Sequence, residues 1–353
     1  MKKREMRLAA QIAFTYIGTV VGAGFASGQE ILQFFTRFGH KGYFGIAVST
    51  FLFAWVGLRM LMLGYQLRAT SYRQLTAYLF GQKLAGLIDT LMMVMLFGVT
   101  VAMLAGVGAL FEENSRIPFH IGVLLTMALT FFTILRGMKG ILAANSFIVP
   151  TMLLVISFLF IHAFIHGGSP HEFTGSETTT TLQWLSSAIS YAAFNMGLAV
   201  SVLVPLGEEV PNPKVLKWGA VLGALGLGMM LVGAQYTMST RLPEILSFEI
   251  PMAYVTSLYG RTFQLLFLFV LWAEIYSTLI ANVFGLGTQL ASPRRPVHGA
   301  LVTILILTSA FFVAQVGFSN IVNYLYPIFG YVSFLLLLLL LWPRKYPQRP
   351  TGD

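Results

Sequence analysis

Apolar stretches of about twenty residues recur along this chain, separated by short segments that hold most of its charge. The runs Leu91–Phe111, Ile141–Phe164 and Val297–Val316 contain no Asp, Glu, Lys or Arg, and ~20 such residues form a helix long enough to cross a bilayer core. Reading the apolar runs against the charges predicts ten spanning helices. They lie at Leu8–Phe35, Gly42–Gln66, Ala85–Phe111, Phe119–Leu135, Gly140–Phe164, Leu182–Pro205, Val215–Met238, Phe263–Leu290, Val297–Val316 and Ile321–Trp342. Between the second and third, Thr70 to Gly81 has the pattern of a short amphipathic helix on the inner surface, with Ser71 and Gln74 at capping spacing, or of an inner gate. The expected fold is an all-α membrane protein.

Two of the predicted spans carry small-residue clusters that a plain membrane anchor does not need. The first contains Gly18-Thr19-Val20-Val21-Gly22-Ala23-Gly24-Phe25-Ala26-Ser27-Gly28 and the sixth Ala192-Ala193-Phe194-Asn195-Met196-Gly197. Each is followed by four further spans, which divides the chain into two five-span halves, 1–170 and 171–353. Because five is odd, the second half is inverted relative to the first. Paired broken helices in inverted repeats point to a solute site at the bilayer midplane. A break there frees backbone N–H and C=O groups that hydrocarbon cannot satisfy, so it has to face a ligand, an ion or a wet cavity. Glycines also serve close helix packing, which suits Gly219-x-x-x-Gly223 and the pair Gly106 and Gly108.

Composition agrees with this and charge adds an orientation. Only 10% of the 353 residues are charged and 56% are hydrophobic, with a mean hydropathy of +0.76. With the N-terminus inside, the cytoplasmic segments take sixteen of the 22 Lys and Arg residues, from Lys2, Lys3, Arg4 and Arg7 to Arg344, Lys345 and Arg349. The opposite side takes Arg37, Lys41, Arg116, Arg241 and Arg261, and Arg59 lies inside the second span, where it is expected to snorkel to the inner interface. The net charge of +9 is spread in clusters between spans, a topology signal and not a nucleic-acid surface. The absence of cysteine rules out disulfides and thiolate metal sites.

The run Gly18-Thr19-Val20-Val21-Gly22-Ala23-Gly24 resembles the Gly-x-x-Val-Gly-x-Gly break of sodium-coupled members of the LeuT-fold transporters in the amino acid, polyamine and organocation superfamily. Phe38-Gly39-His40-Lys41-Gly42-Tyr43-Phe44 resembles their first external turn. The likeness extends over nearly the whole chain and is nearest to the bacterial YkvI-like membrane proteins. It implies a LeuT-like 5+5 inverted repeat with broken first and sixth helices. It also implies a sodium site made by the carbonyls of Gly18 and Val21 with the carbonyl of Glu274 and the hydroxyls of Ser277 and Thr278. In Trp272-Ala273-Glu274-Ile275-Tyr276-Ser277-Thr278 the i, i+3, i+4 spacing puts those three on one helical face. Ser and Thr in spanning helices also bond back to their own backbone. Glu274 stands where the family commonly has a small residue. The fifth span offers Asn145 and Ser146 where proton-coupled relatives commonly have a basic side chain.

Intramembrane acids cost ~2.5–3.5 kcal/mol each at a helix centre, so each invites a functional reading. Asp89 is near the start of its span and fits an interfacial, structural role. Glu30, two turns past the first-span break, is placed to close a gate with Arg37 or to attract a substrate ammonium. Glu274 is the deepest and is a candidate proton site. For the solute, Gly22, Ala23, Gly24, Phe25 and Ala26 would cradle a carboxylate, approached by Tyr191, Phe194 and Asn195 from the sixth span. His162, His166 and His171 have poor ligand spacing and read better as interfacial residues.

The sequence therefore predicts a cation-coupled carrier of a small amine-containing solute, an amino acid first, with Na+ favoured over H+ and no organic cofactor. A channel, a ligand sensor or an uncoupled exchanger on the same fold stays open. An enzyme does not fit, since no convergent acid, base and nucleophile appear. The expected partners are the small solute and the lipid bilayer, not nucleic acid. The expected location is the bacterial inner, cytoplasmic membrane with both termini inside. Substrate identity and oligomeric state are not written in these residues.

Overall fold

The computed structural model describes residues 3–115, 117–166, 182–248, 250–290, 296–315 and 333–341, and among them every regular element is helical. The N-terminal apolar stretch forms three pieces, α1 (Lys3–Val20), α2 (Ala23–Ser27) and α3 (Gln29–Phe34). A 3-10 turn at Thr36–Phe38 leads into α4 (His40–Leu67). Then come α5 (Tyr72–Ser115), α6 (Phe119–Ile134), α7 (Met138–His166), α8 (Gln183–Glu209) and α9 (Pro213–Ser239). After α10 (Pro251–Ser257), α11 (Arg261–Leu290) and α12 (Pro296–Ala314), residues 333–341 are again helical.

Six helices, α4, α5, α7, α8, α9 and α11, are long and apolar enough to cross a membrane, and α6 and the stretch Gly299–Ala314 are shorter apolar helices. Large apolar side chains such as Phe132, Phe147, Leu154, Met229 and Phe312 point outward, as a lipid-facing surface requires. The helices differ in depth. The apolar stretch of α8 is 89% buried and that of α7 only 39%, so α8 runs through the centre while α7 forms part of the rim. α8 lies along α4, and α1 lies along α9 with α7, α8 and α11 as further neighbours.

Local chemistry explains where several elements stop and start. α5 is divided at Gly81, whose φ of 74° and ψ of 162° are non-helical, a conformation glycine adopts without Cβ strain. The piece before it, from Tyr72 on, is the helix expected within Thr70 to Gly81, with Tyr72, Leu75 and Thr76 buried. Its start is held by the Ser71 N–H donating to Gln74 Oε1 at 3.2 Å. Asp89 on the long piece accepts from Thr76 and lies 3.8 Å from the Arg73 guanidinium. α9 begins at Pro213 behind Asn212, whose side chain accepts the Lys214 N–H at 3.0 Å.

One expected feature is absent. α8 is a single helix through Ala192–Gly197, so the predicted interruption of the sixth span is corrected to a continuous helix. Within that stretch Gly197 serves packing, since a Cβ there would stand 2.1 Å from Ser333 Oγ, and glycines elsewhere bring α4 and α8 together. A Cβ on Gly207 would stand 2.1 Å from the Leu61 carbonyl oxygen, and one on Gly64 would stand 2.0 Å from that of Val204. The backbones of α4 and α8 touch because both positions lack side chains. Arg59, expected to snorkel, is 6% exposed and so is enclosed by the protein.

Candidate functional site

The helical ladder of α1 ends with the Val21 N–H donating to the Ile17 carbonyl at 2.7 Å, and α2 resumes with the Ala26 N–H donating to Gly22 at 2.9 Å. Between these bonds Gly22 is extended, at φ −119° and ψ −165°. Two carbonyls left without helical donors are taken up by side chains of α11. Ser277 Oγ donates to the Gly18 oxygen at 2.8 Å and Thr278 Oγ1 donates to the Val21 oxygen at 3.1 Å. Buried carbonyls need such partners, and the α11 hydroxyls supply them across more than 250 residues of sequence.

Packing aims these hydroxyls. On another face of α11, Trp272 Nε1 donates to Thr126 Oγ1 at 3.0 Å and the Tyr276 hydroxyl bonds that of Thr133, both on α6. With that face anchored, Glu274, Ser277 and Thr278 turn into the core, where they are 0%, 0% and 3% exposed. Both Glu274 carboxylate oxygens are buried without a hydrogen-bond partner. Asn145 of α7 completes the group, its Oδ1 sharing the single Ser277 hydroxyl proton with the Gly18 carbonyl. A Cβ on Gly18 would sit 2.0 Å from that Oδ1, so the glycine makes room for the amide. In the sequence Asn145 stands out only as a neutral residue where proton-coupled relatives commonly have a basic side chain. A lone amide in an apolar span was the available signal.

Beyond the break, Gly28 at φ 87° ends α2 and starts α3. This left-handed residue turns the chain so that Glu30 folds back on α2, and a Cβ on Gly24 would stand 2.2 Å from Glu30 Oε1. Tyr191 of α8 is fully buried, with its ring centroid 5.0 Å from Phe35, 5.4 Å from Phe34 and 5.9 Å from Phe53. Phe25 and Phe194 are buried too, and Asn195 donates its amide to the Tyr191 carbonyl of its own helix at 3.0 Å.

The structure thus joins Gly18 to Ser277 and Val21 to Thr278 and sets Glu30 against Gly24. It does not join Glu30 to Arg37, whose guanidinium lies 4.9 Å from the Phe38 ring centroid. His162 and His166 lie side by side with ring centroids 4.8 Å apart and planes tilted by 50°. His171 lies outside the described residues, among which no group of three His, Cys, Asp or Glu could hold a metal ion.

No family model matches the chain. Its fold is similar to that of MhsT in complex with L-phenylalanine, with a TM-score of 0.62 at 15% identity over 93% of this chain and 88% of that one. A manganese transporter of Eremococcus coleocola, in complex with an aromatic bis-isothiourea substituted compound, gives a TM-score of 0.61 at 12% identity, covering 96% and 76%. These likenesses and the apolar helices define a multi-pass membrane protein of the LeuT fold. In sequence the chain is 38% identical over 349 residues to the uncharacterized membrane protein YkvI of Bacillus subtilis (strain 168), covering 97% of each. It is 29% identical over 329 residues to the uncharacterized protein YyaD of the same organism, covering 93% and 94%. The chain belongs to the YkvI family of membrane proteins.

Proposed function

We propose that this chain is a secondary active transporter of the cytoplasmic membrane. It moves a small amine-containing solute together with a cation, Na+ before H+, by alternating access between two inverted five-span halves, 1–170 and 171–353, with both termini inside. The observation that carries the reading is the pair of α11 hydroxyls on the α1 carbonyls, Ser277 on Gly18 and Thr278 on Val21. Carbonyl and hydroxyl oxygens, buried together at the end of a half-helix, suit a hard monovalent cation. The Glu274 carbonyl is the proposed fifth ligand.

The donor set also suggests how an ion is coupled to conformation. The two hydroxyls now donate their protons to the carbonyls. To ligate Na+ they must rotate so that oxygen lone pairs face the ion, and the Gly18 and Val21 carbonyls must exchange a hydrogen bond for a cation contact. Ion arrival therefore changes what holds the α1–α2 junction, beside which Gly22, Ala23, Gly24, Phe25 and Ala26 form the proposed solute side, faced by Tyr191, Phe194 and Asn195 of α8. The buried, unpartnered Glu274 carboxylate favours a second reading, in which a proton is the coupling ion.

The test is uptake of a labelled mixture of amino acids and amines into proteoliposomes under an inward Na+ gradient, an inward H+ gradient or neither. Accumulation is expected with Na+ and is expected to vanish in Ser277→Ala combined with Thr278→Ala. Dependence on pH alone would move coupling to Glu274 or Glu30. Downhill flux without accumulation would favour a channel.

A further inference from the structure

The carboxylate of Glu30 occupies the ground on which a carried carboxylate was expected to rest. It lies against Gly24, so close that any side chain at position 24 would collide with it. Glu30 is 9% exposed, and its Oε2 is buried with no hydrogen-bond partner. The Tyr191 hydroxyl, on the α8 helix that packs against α3, is likewise buried and unpartnered.

Nothing described nearby supplies a countercharge. α3 packs on α2, the Thr36–Phe38 turn, α8 and α9. α2 and α8 contain no Lys, Arg or His. The turn contributes Arg37, which lies over Phe38. The basic residues of α9 are Lys214 and Lys217, and Lys217 is 18 residues, about 27 Å of helix, from Gln235, the α9 side chain that meets Thr36. A buried carboxylate without partners is unfavourable, and an incoming ammonium relieves it by charge-assisted hydrogen bonds. The rings around Tyr191, from Phe34, Phe35 and Phe53, add faces that attract a cation. A carboxylate on the solute would instead meet a like charge in a site that screens poorly.

We infer that the solute site beside α2 takes an organic amine that carries no carboxylate. Its ammonium is held by Glu30 and the Tyr191 hydroxyl, and its hydrocarbon body by the surrounding aromatic side chains. This narrows the transport reading, on which it rests, from amine-containing solutes in general to cationic ones, and it excludes zwitterionic amino acids.

The experiment is binding to the purified full-length protein, measured by thermal unfolding and by calorimetry, with the matched probes phenethylamine against L-phenylalanine and isobutylamine against L-valine. Each amine is expected to bind at least tenfold more tightly than its amino acid. Glu30→Gln is expected to weaken amine binding at least tenfold and to shrink that preference, while a cooperative melt and monodisperse elution show that the variant is folded. Tyr191→Phe keeps the ring, loses the hydroxyl and is expected to weaken amine binding severalfold. The inference is overturned if the amino acids bind as well as the amines, if Glu30→Gln binds amines unchanged, or if none of the four probes binds. Sodium-driven accumulation of an amino acid would sink this inference and leave the transport reading standing. Amine binding without gradient-driven uptake would do the reverse.

Discussion

Around Gly22 and around Gly197 the chain carries similar small-residue chemistry, and the two places differ in what stands opposite. Facing the α1–α2 junction, α11 and α7 present Ser277, Thr278 and Asn145. The carbonyls that leave the helical ladder there are received by donors. Facing the middle of α8, among the described residues, a Cβ on Gly197 would meet Ser333 and the methyl of Met95, and the Tyr16 hydroxyl donates to the Phe53 carbonyl at 2.7 Å while touching Met196. With that hydroxyl already engaged, α8 keeps its own ladder, and even Asn195 bonds back to it. Glycine permits a helix to open, and partner side chains decide whether it does.

The sharpest way to break this comparison is to remove the room at Gly18. In Gly18→Ala the new Cβ would fall 2.0 Å from Asn145 Oδ1 and 2.8 Å from Ser277 Oγ, so the amide must leave and its bond to Ser277 is lost. Overpacked cores lose ~1–3 kcal/mol, and this variant is expected at the upper end, read as a lowered melting temperature in detergent. Any Na+ stabilisation of that melt should fall at least tenfold in affinity. If Gly18→Ala melts like the wild type and keeps its ion response, the junction does not depend on this packing.

Next in size is Ser277→Ala, which leaves the Gly18 carbonyl and Asn145 Oδ1 without the donor they share. A buried acceptor so orphaned costs roughly 1–3 kcal/mol. Ser277→Thr restores a hydroxyl and is expected to recover part of the loss, which a simple change of volume would not. Gly197→Ala is the counterpart on α8. Its Cβ would fall 2.1 Å from Ser333 Oγ and 2.7 Å from Ser333 Cβ. The hydroxyl can change rotamer, but the Cβ moves only with its backbone. The cost is therefore expected at the lower end of the overpacking range, about 1 kcal/mol, measured in the same melt. A loss as large as that of Gly18→Ala would mean that the two glycine sites are equally constrained.

These contrasts mark what the sequence could and could not tell. The apolar stretches within the described residues became helices because length and hydropathy are local properties. The helix before Gly81 was legible from its capping residues and its glycine. The facing of α11 toward α1 came from resemblance combined with i, i+3, i+4 spacing. The Asn145–Ser277 bond spans 132 residues, and no periodicity encodes which residue of one helix lies level with which residue of another. The fold-back of Glu30 onto Gly24 depended on the left-handed Gly28, a conformation sequence permits but does not declare. The expected break in α8 failed for the same reason, because its neighbours were invisible.

Asn195 gives the finest probe of the comparison, because its amide satisfies a carbonyl that the closed helix already satisfies. In the structure as it stands the side chain is buried and bonded only within α8, to Tyr191. Such back-bonding contributes little to a helix and alanine is the better helix former, so Asn195→Ala is expected to melt within ~0.5 kcal/mol of the wild type. A transport cycle that keeps α8 closed leaves solute uptake unchanged as well. A cycle that opens α8 near Ala192–Gly197 needs an amide there to receive freed backbone groups, and the same variant then loses transport rate at unaltered stability. Measuring melt and uptake on one preparation therefore separates a permanently continuous α8 from one that is continuous only in this conformation.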